Sequence, residues 1–442
     1  MASMTNVHET LPLRKRRIDE TKSYTPWLVC FIAAAYFFYE FIQMNMFNAI
    51  SADLMRAFHI TGINLSKMSS VYFYADVIFL FPAGIILDRY STKLLILIAL
   101  GLASIGTVLF SFATQLWFAM LCHFIAGIGN AFCLLSCILL ASRWFSPARL
   151  ALVTGLIVTF AMAGGAIAQT PLVILTAHVG WRTAVLLNGI LGIVIWILNF
   201  LFVYDRPLDA AKDYSKRCQG EGIMRPAFLK GIQLAAKNKQ NWFAGIYTSV
   251  LNMPLMVLGG LWGSLYLQQW HHFTAGQAAT VSSMLFIGTI IGSPTFGALS
   301  DNYRQRRMPM ILGAVTSMIS VIAMLYLPHL TYFSALGVFF AVGFFTSAQV
   351  ISYPLITESN RRVITGTSLG LASCIIMGGA GLAQQVYGHL IDHFWDKQLI
   401  DGIPLYSGMA YHAAMLIFPV MLLLGLVCAF LVKETHCRDI AQ

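Results

Sequence analysis

The stretch GIILDRYSTK, Gly84 to Lys93, returns 213 residues later as GALSDNYRQRR, Gly297 to Arg307. Each copy has a glycine, three residues, an aspartate, then a tyrosine among basic residues. A second echo, GGAIAQ at 164–169 and GGAGLAQQ at 378–385, repeats at nearly the same offset. Punctuation that recurs at about half the chain length points to two copies of one structural unit.

What surrounds these loops is almost entirely apolar. Of 442 residues, 58% are hydrophobic and only 10% charged, against about 25% charged in an ordinary soluble protein. Apolar runs of roughly 20 residues recur from end to end, each long enough to cross about 30 Å of hydrocarbon. Twelve such runs are expected, near 26–48, 67–87, 94–113, 117–141, 151–176 and 183–204, then 242–266, 278–299, 309–327, 331–357, 364–391 and 410–432. The expected fold is therefore an all-α polytopic membrane protein with twelve transmembrane helices in two pseudo-symmetric six-helix bundles. The bundles span 26–204 and 242–432. A tail, 1–25, precedes them, a charged linker, 205–241, joins them with a short surface helix over Phe228 to Lys237, and a second tail, 433–442, follows.

The basic residues orient the chain. If both termini lie in the cytoplasm, all but four of the 28 lysines and arginines fall on that side; the exceptions are Arg56, Lys67, Arg182 and Lys397. The basic balance then marks the inner face of a bacterial inner membrane, with the lipid bilayer as partner and no nucleic acid. The first apolar run is too long for a signal peptide and is read as a retained helix. The eight cysteines are expected to be free thiols, and no metal set is foreseen, Cys133 and Cys137 being a packing pair. Absence of a P-loop, H-E-x-x-H or G-x-S-x-G argues against an enzyme, and no cofactor is implied.

The paired G-x-x-x-D loops after the second and eighth runs resemble the signature loop of the major facilitator superfamily. Ser91, Thr92 and Lys93 replace part of its usual continuation. HFIAGIGNAF, His123 to Phe132, resembles the family's fourth-helix motif, with His123 where an arginine is usual. The resemblance covers essentially the whole chain and implies a monomeric secondary carrier working by alternating access. It also implies that Gly84, Asp88, Arg89 and Lys93, with Gly297, Asp301, Arg304 and Arg306, form signature loops that gate the cytoplasmic side. Asp88 would pair there with Arg143, Arg361 or Arg362, and Glu358 with Arg304 or Arg306. Gly84 and Gly297 would permit close helix approach. The first two helices also resemble the phagosomal transporter branch of intracellular bacteria, associated with amino acids and, in some members, nucleosides.

Within the spans, acids are rare. Glu40 and Asp76, together with His123, are the candidate proton carriers. At 100° per residue, Tyr36, Glu40, Gln43, Met44 and Phe47 form one stripe of the first helix, facing a central cavity or a neighbouring helix, whereas Asn45 faces away and is read as packing. Asn252, Gln349, Tyr353, Gln384 and Gln385 are the matching neutral candidates of the second half. Met253-Pro254 and Tyr353-Pro354 should loosen their helices. Lysine and arginine are absent from every expected helix interior, which disfavours strongly anionic substrates. The expected function is proton-coupled import of a small polar metabolite, best an amino acid. The alternatives are an exporter of drugs or siderophores, a carrier of nucleosides or other metabolites, and a membrane sensor or scaffold.

Overall fold

A computed structural model describes residues 24–145, 147–206, 228–327, 330–361 and 364–438. Residues 1–23, most of the expected linker and 439–442 lie outside these residues. The first half comprises α1 (Thr25–Phe58), α2 (Gly62–Arg89), α3 (Thr92–Ser111), α4 (Leu116–Trp144), α5 (Pro147–Ile167), α6 (Thr170–Val179) and α7 (Trp181–Phe202). The second half begins with the short helix α8 (Phe228–Lys237), followed by α9 (Lys239–Pro254), a π-helical segment Leu255–Trp262 and α10 (Gly263–Gln269). Then come α11 (Ala275–Tyr303), α12 (Arg307–Tyr326), α13 (Tyr332–Thr346), a 3-10 segment Ser347–Ile351, α14 (Ser352–Glu358), α15 (Thr365–His393), α16 (Gly408–Met415) and α17 (Ile417–Leu431). Eleven helical runs among the described residues are long and apolar enough to span a membrane. The remaining expected span, 67–87, lies within α2.

Several boundaries differ from expectation for identifiable reasons. Helix α1 continues ten residues beyond 48, because nothing breaks it until His59 adopts a left-handed φ of 51°. The expected span 151–176 is divided at Gln169, where Pro171 starts a new helix without an N–H to bond backward. Pro254 is followed at once by the π-helical segment, and Pro354 lies just after the 3-10 turn. A two-residue hairpin, unforeseen, pairs Leu399 with Pro404 and Ile400 with Ile403. Its turn, Asp401-Gly402, has φ of 50° and 78° at its two residues, the sequence such turns require.

The face holding residues 24, 205 and 438 is called the terminal face, and its opposite the distal face. Two acids perform matching tasks at the terminal face. Asp205, just past α7, accepts the Lys93 N–H at 2.8 Å and the Ser91 hydroxyl, so it caps the start of α3. Glu434, just past α17, accepts the N–H groups of Arg306 and Arg307 at 2.8 Å each and caps α12. A carboxylate there neutralises orphan N–H groups and the positive end of the helix dipole.

The two halves meet along α2 against α15, α5 against α11, and α1 against the π-helical segment. Glycines admit close approach both across this seam and within each half. A Cβ on Gly164 would lie 2.2 Å from the Phe38 carbonyl oxygen of α1, and one on Gly165 would lie 2.4 Å from Phe286 of α11. In the repeat's second copy, a Cβ on Gly379 would strike Ser249 and one on Gly381 would crowd Tyr74 of α2. Among the described residues, hydrogen bonds joining the halves lie at mid-helix or toward the distal face, from Cys374–Val77 outward to Arg56–Asp401.

Candidate functional site

Glu40 is fully buried on α1. One carboxylate oxygen accepts the Tyr72 hydroxyl of α2 at 2.6 Å; the other, Oε1, has no partner and lies against Gly129 of α4, where a Cβ would come within 2.9 Å of it. Asp76, one turn beyond Tyr72, is also buried, with Oδ1 unpartnered and Asn130 of α4 as its polar neighbour. Neither acid has an ion-pair partner among the described residues. His123 stacks on Phe47, ring centroids 4.3 Å apart, with the Tyr72 ring 5.0 Å away. Tyr72 therefore touches both Glu40 and His123. The three proton-carrier candidates surround a tyrosine that sequence reading did not nominate.

The remaining α1 candidates meet neighbouring helices, one of the two surroundings expected for their stripe. Tyr36 donates to the Gly129 carbonyl, Phe47 packs on His123 and Phe110, and Gln43 is fully buried with both amide atoms unpartnered. All three sit inside the first half rather than on an open cavity wall. The stripe was correct as a helical face, but α4 is close enough to cover it, since Gly127 and Gly129 let α2 and α1 approach its backbone. Asn45, read as packing, lies on the side of α1 that meets the second half.

That side holds a network of amides. Asn48 donates to Gln169 at 2.6 Å and accepts the Ser264 N–H at 2.8 Å. Gln169 donates to the Gly259 carbonyl, and Gln384 to the Met256 carbonyl, at 2.9 Å each. Gln169 and Gln384 are the closing residues of the two GG-A repeats, so both repeats send an amide to one π-helical segment. A π-turn leaves backbone groups poorly paired, and these amides satisfy two of its carbonyls. Gln169 and Asn48 were not nominated; their signal lay in the repeat and in the polar composition of α1.

Toward the terminal face, Gln349 donates to Asn252 at 3.2 Å. Tyr353, one turn on, is about a third exposed (36%). Gln385 is half-buried, without a side-chain hydrogen bond among the described residues. A separate depression of about 610 Å³ opens at the distal face among Gln268, Trp270, Asp396, Asp401 and Tyr406, away from every nominated residue.

At the signature loops, the surroundings of Gly84 and the side chains of Asp88 and Arg89 lie outside what is described, as does Arg362. Arg143 lies 3.7 Å from Asp205 and donates to Thr92. Lys93 sits over the Tyr204 ring. Arg306 bridges Asp301 at 2.6 Å and Glu358 at 2.7 Å. Burial works against its charge, yet those two carboxylates raise its pKa above the usual arginine value. Arg304 instead ends α11 in a left-handed turn, exposed. A Cβ on Gly297 would meet nothing within 4 Å, so no close helix contact forms at that position, although Phe296 and Ser300 beside it are buried.

The family model described as Major Facilitator Superfamily matches residues 32–270 and again 245–439. The membrane sensor protein UhpC of Escherichia coli is 24% identical, over 92% of this chain and 95% of its own length. The probable sulfoacetate transporter SauU of Cupriavidus necator is 22% identical, over 78% and 82%. A bacterial homologue of the human lysosomal transporter Spinster, solved in an inward-facing, unoccupied conformation, superposes with a TM-score of 0.75 at 15% identity, over 93% of this chain and 97% of that one.

Proposed function

The chain belongs to the major facilitator superfamily and is a secondary transporter of small metabolites, and from that premise we propose that it imports a polar substrate, best an amino acid, together with protons. The observation that carries the reading is Glu40: a buried carboxyl, hydrogen-bonded on one oxygen, unpartnered on the other, with no ion-pair partner among the described residues. An uncompensated carboxylate at mid-bilayer costs at least about 2.5–3.5 kcal/mol, so such a group suits a proton or a positively charged ligand. Asp76 offers a second site of the same kind, and Tyr72 links Glu40 to His123. Of these, Glu40 and Asp76 are the assigned proton carriers. The Asn252–Gln349 pair and Tyr353 supply neutral donors and acceptors on the facing half.

The named substrate of the SauU relative is an anion. No lysine or arginine occupies the interior of an expected membrane span, which supports a zwitterionic or neutral substrate instead. The working unit is a monomer in a bacterial inner membrane, with the terminal face cytoplasmic, as the basic-residue asymmetry supports. Asp301, Arg306 and Glu358 act as a charge lock at that face.

In proteoliposomes with an alkaline interior, uptake of amino acids from a radiolabelled panel should accelerate. Glu40→Gln and Asp76→Asn should each abolish that acceleration. Retention of it in both variants would refute the proton assignment. UhpC, named as a sensor, motivates a second reading: the panel would stabilise the protein in a melt without being taken up.

A further inference from the structure

One exposed stripe of α15 runs through Leu382, Val386, His389 and His393, which fall within about 60° of one another at 100° per residue. It turns from aliphatic to imidazole over the final five residues of the helix. His389 and His393 stand one helical turn apart, a spacing that sets Cβ atoms about 5–6 Å from each other. Helical side chains lean toward the N-terminus, which puts the later imidazole within reach of the earlier one.

The hydrogen bonding of His389 leaves one ring nitrogen open. Its Nδ1 lies 3.0 Å from the Gln385 carbonyl oxygen. A carbonyl can only accept, so Nδ1 carries the hydrogen and Nε2 keeps its lone pair for another partner. Metal-ligating histidines are ordinarily held this way, one nitrogen anchored on a carbonyl and the other left to the ion. His393 is exposed and makes no side-chain hydrogen bond among the described residues. Both rings sit at the C-terminus of α15, where unpaired carbonyls and the negative end of the helix dipole favour a cation. Asp392 and Asp396 add negative charge to this segment, against Lys397 alone.

The geometry points to His389 and His393 as a two-imidazole site, at the distal face, for a divalent transition-metal ion of the copper, nickel or zinc class. Imidazole suits those ions, whereas magnesium and calcium prefer oxygen ligands. Among the described residues no group of three ligating side chains is placed to hold an ion, so water completes the coordination. The cysteines foretold no metal set, and this pair is made of histidines instead. The two rings bracket Asp392, whose carboxylate accepts the N–H groups of Gly62 and Ile63. A bound ion therefore fixes the turn that presents that carboxylate to α2. None of this depends on the substrate or the proton assignment.

The test uses the full chain, purified without a histidine tag. Melts are run with Ni²⁺, Zn²⁺ and Mg²⁺, and Cu²⁺ binding is followed by electron paramagnetic resonance. We expect Ni²⁺ and Zn²⁺ to raise the melting temperature and Mg²⁺ to leave it unchanged. Bound Cu²⁺ should show coupling to two imidazole nitrogens. His389→Gln and His393→Gln should each weaken binding at least about tenfold. The double variant should lose little more than either single one, because chelation needs both rings. His393→Gln breaks no side-chain hydrogen bond among the described residues, so its metal-free melt should match wild type and separate lost binding from lost folding. Wild-type affinity in both single variants would assign the ion to other histidines and overturn the site. Additive losses in the double variant, or a one-nitrogen copper spectrum in the wild type, would overturn the pairing. Absence of any Ni²⁺ or Cu²⁺ binding would do the same.

Discussion

The carboxylate of Asp392, at the end of α15, accepts the backbone N–H of Gly62, at the start of α2, at 3.0 Å. Its other oxygen takes the Ile63 N–H at 2.8 Å, while the Tyr406 hydroxyl donates at 2.7 Å to the oxygen that Gly62 uses. One half of the molecule thus caps a helix of the other. A Cβ on Gly62 would lie within 2.9 Å of Asp392, Tyr406 and Trp262, so only glycine fits the junction. Alternating access requires this cap to break whenever the distal face opens.

Asp392→Asn keeps the shape but presents an amide to one of the two N–H groups. Hydrogen bonds to charged groups contribute about 1.5–3 kcal/mol, so the distal-open population should rise roughly tenfold or more. Electron–electron distances between spin labels at His59 and Lys397 should lengthen in the variant. An unchanged distribution would show that the cap does not hold the seam.

Tyr72→Phe removes the donor to Glu40 and leaves both carboxyl oxygens without a partner. We expect a melting loss equivalent to about 1–3 kcal/mol and a clear fall in pH-driven uptake. The double variant with Glu40→Gln should be no less stable than Tyr72→Phe alone, because the orphaned acid is gone. Additive losses in that pair would argue against a shared bond.

Glu434 supplies a pH dependence. Burial opposes its charge, but the N–H groups of Arg306, Arg307 and His436 prevail and hold its pKa below the ordinary 4.5. The stabilisation is therefore present above pH 4.5 and lost as pH falls through the lower folded value. Glu434→Gln should melt below wild type at neutral pH, by the about 0.5–2 kcal/mol of a lost helix cap. The gap should close under acid. A gap constant from pH 7 to pH 3 would exclude the cap.

Gly164 and Gly155 lie nine residues apart on α5 and predict opposite outcomes. A methyl on Gly164 collides with the α1 backbone, while one on Gly155 meets nothing within 4 Å. Gly164→Ala should cost about 1–3 kcal/mol or more, and Gly155→Ala should be neutral or stabilising by up to about 1 kcal/mol. Thermal melts in detergent read both.

The polar residues of α1 show how far sequence reading reached. The 100° rule placed Tyr36, Glu40, Gln43 and Phe47 on one face, and they share one. It could not say what covers that face, because α4 arrives from some 80 residues away, admitted by Gly127 and Gly129. Asn45 was set aside as packing since it points the other way, and the other way proved to be the seam. Gln169 was visible within the GGAIAQ echo, yet its partner, the Gly259 carbonyl, belongs to a π-helical segment 90 residues away in the other half. Asp205 and Glu434 carry no motif that marks them as caps, because capping of a remote helix depends on where the chain returns.

Hydrophobic run length, the paired loops and the basic-residue asymmetry by themselves determined the class of this protein, its repeat and its expected orientation. Those properties are local or periodic, and water, lipid and helix geometry impose them residue by residue. Which acid meets Tyr72, which amides reach the π-helical segment and which carboxylate seals α2 were decided only by the tertiary structure. Each is a contact between helices distant in the chain, fixed by close packing at glycines and by the need of buried polar groups for partners.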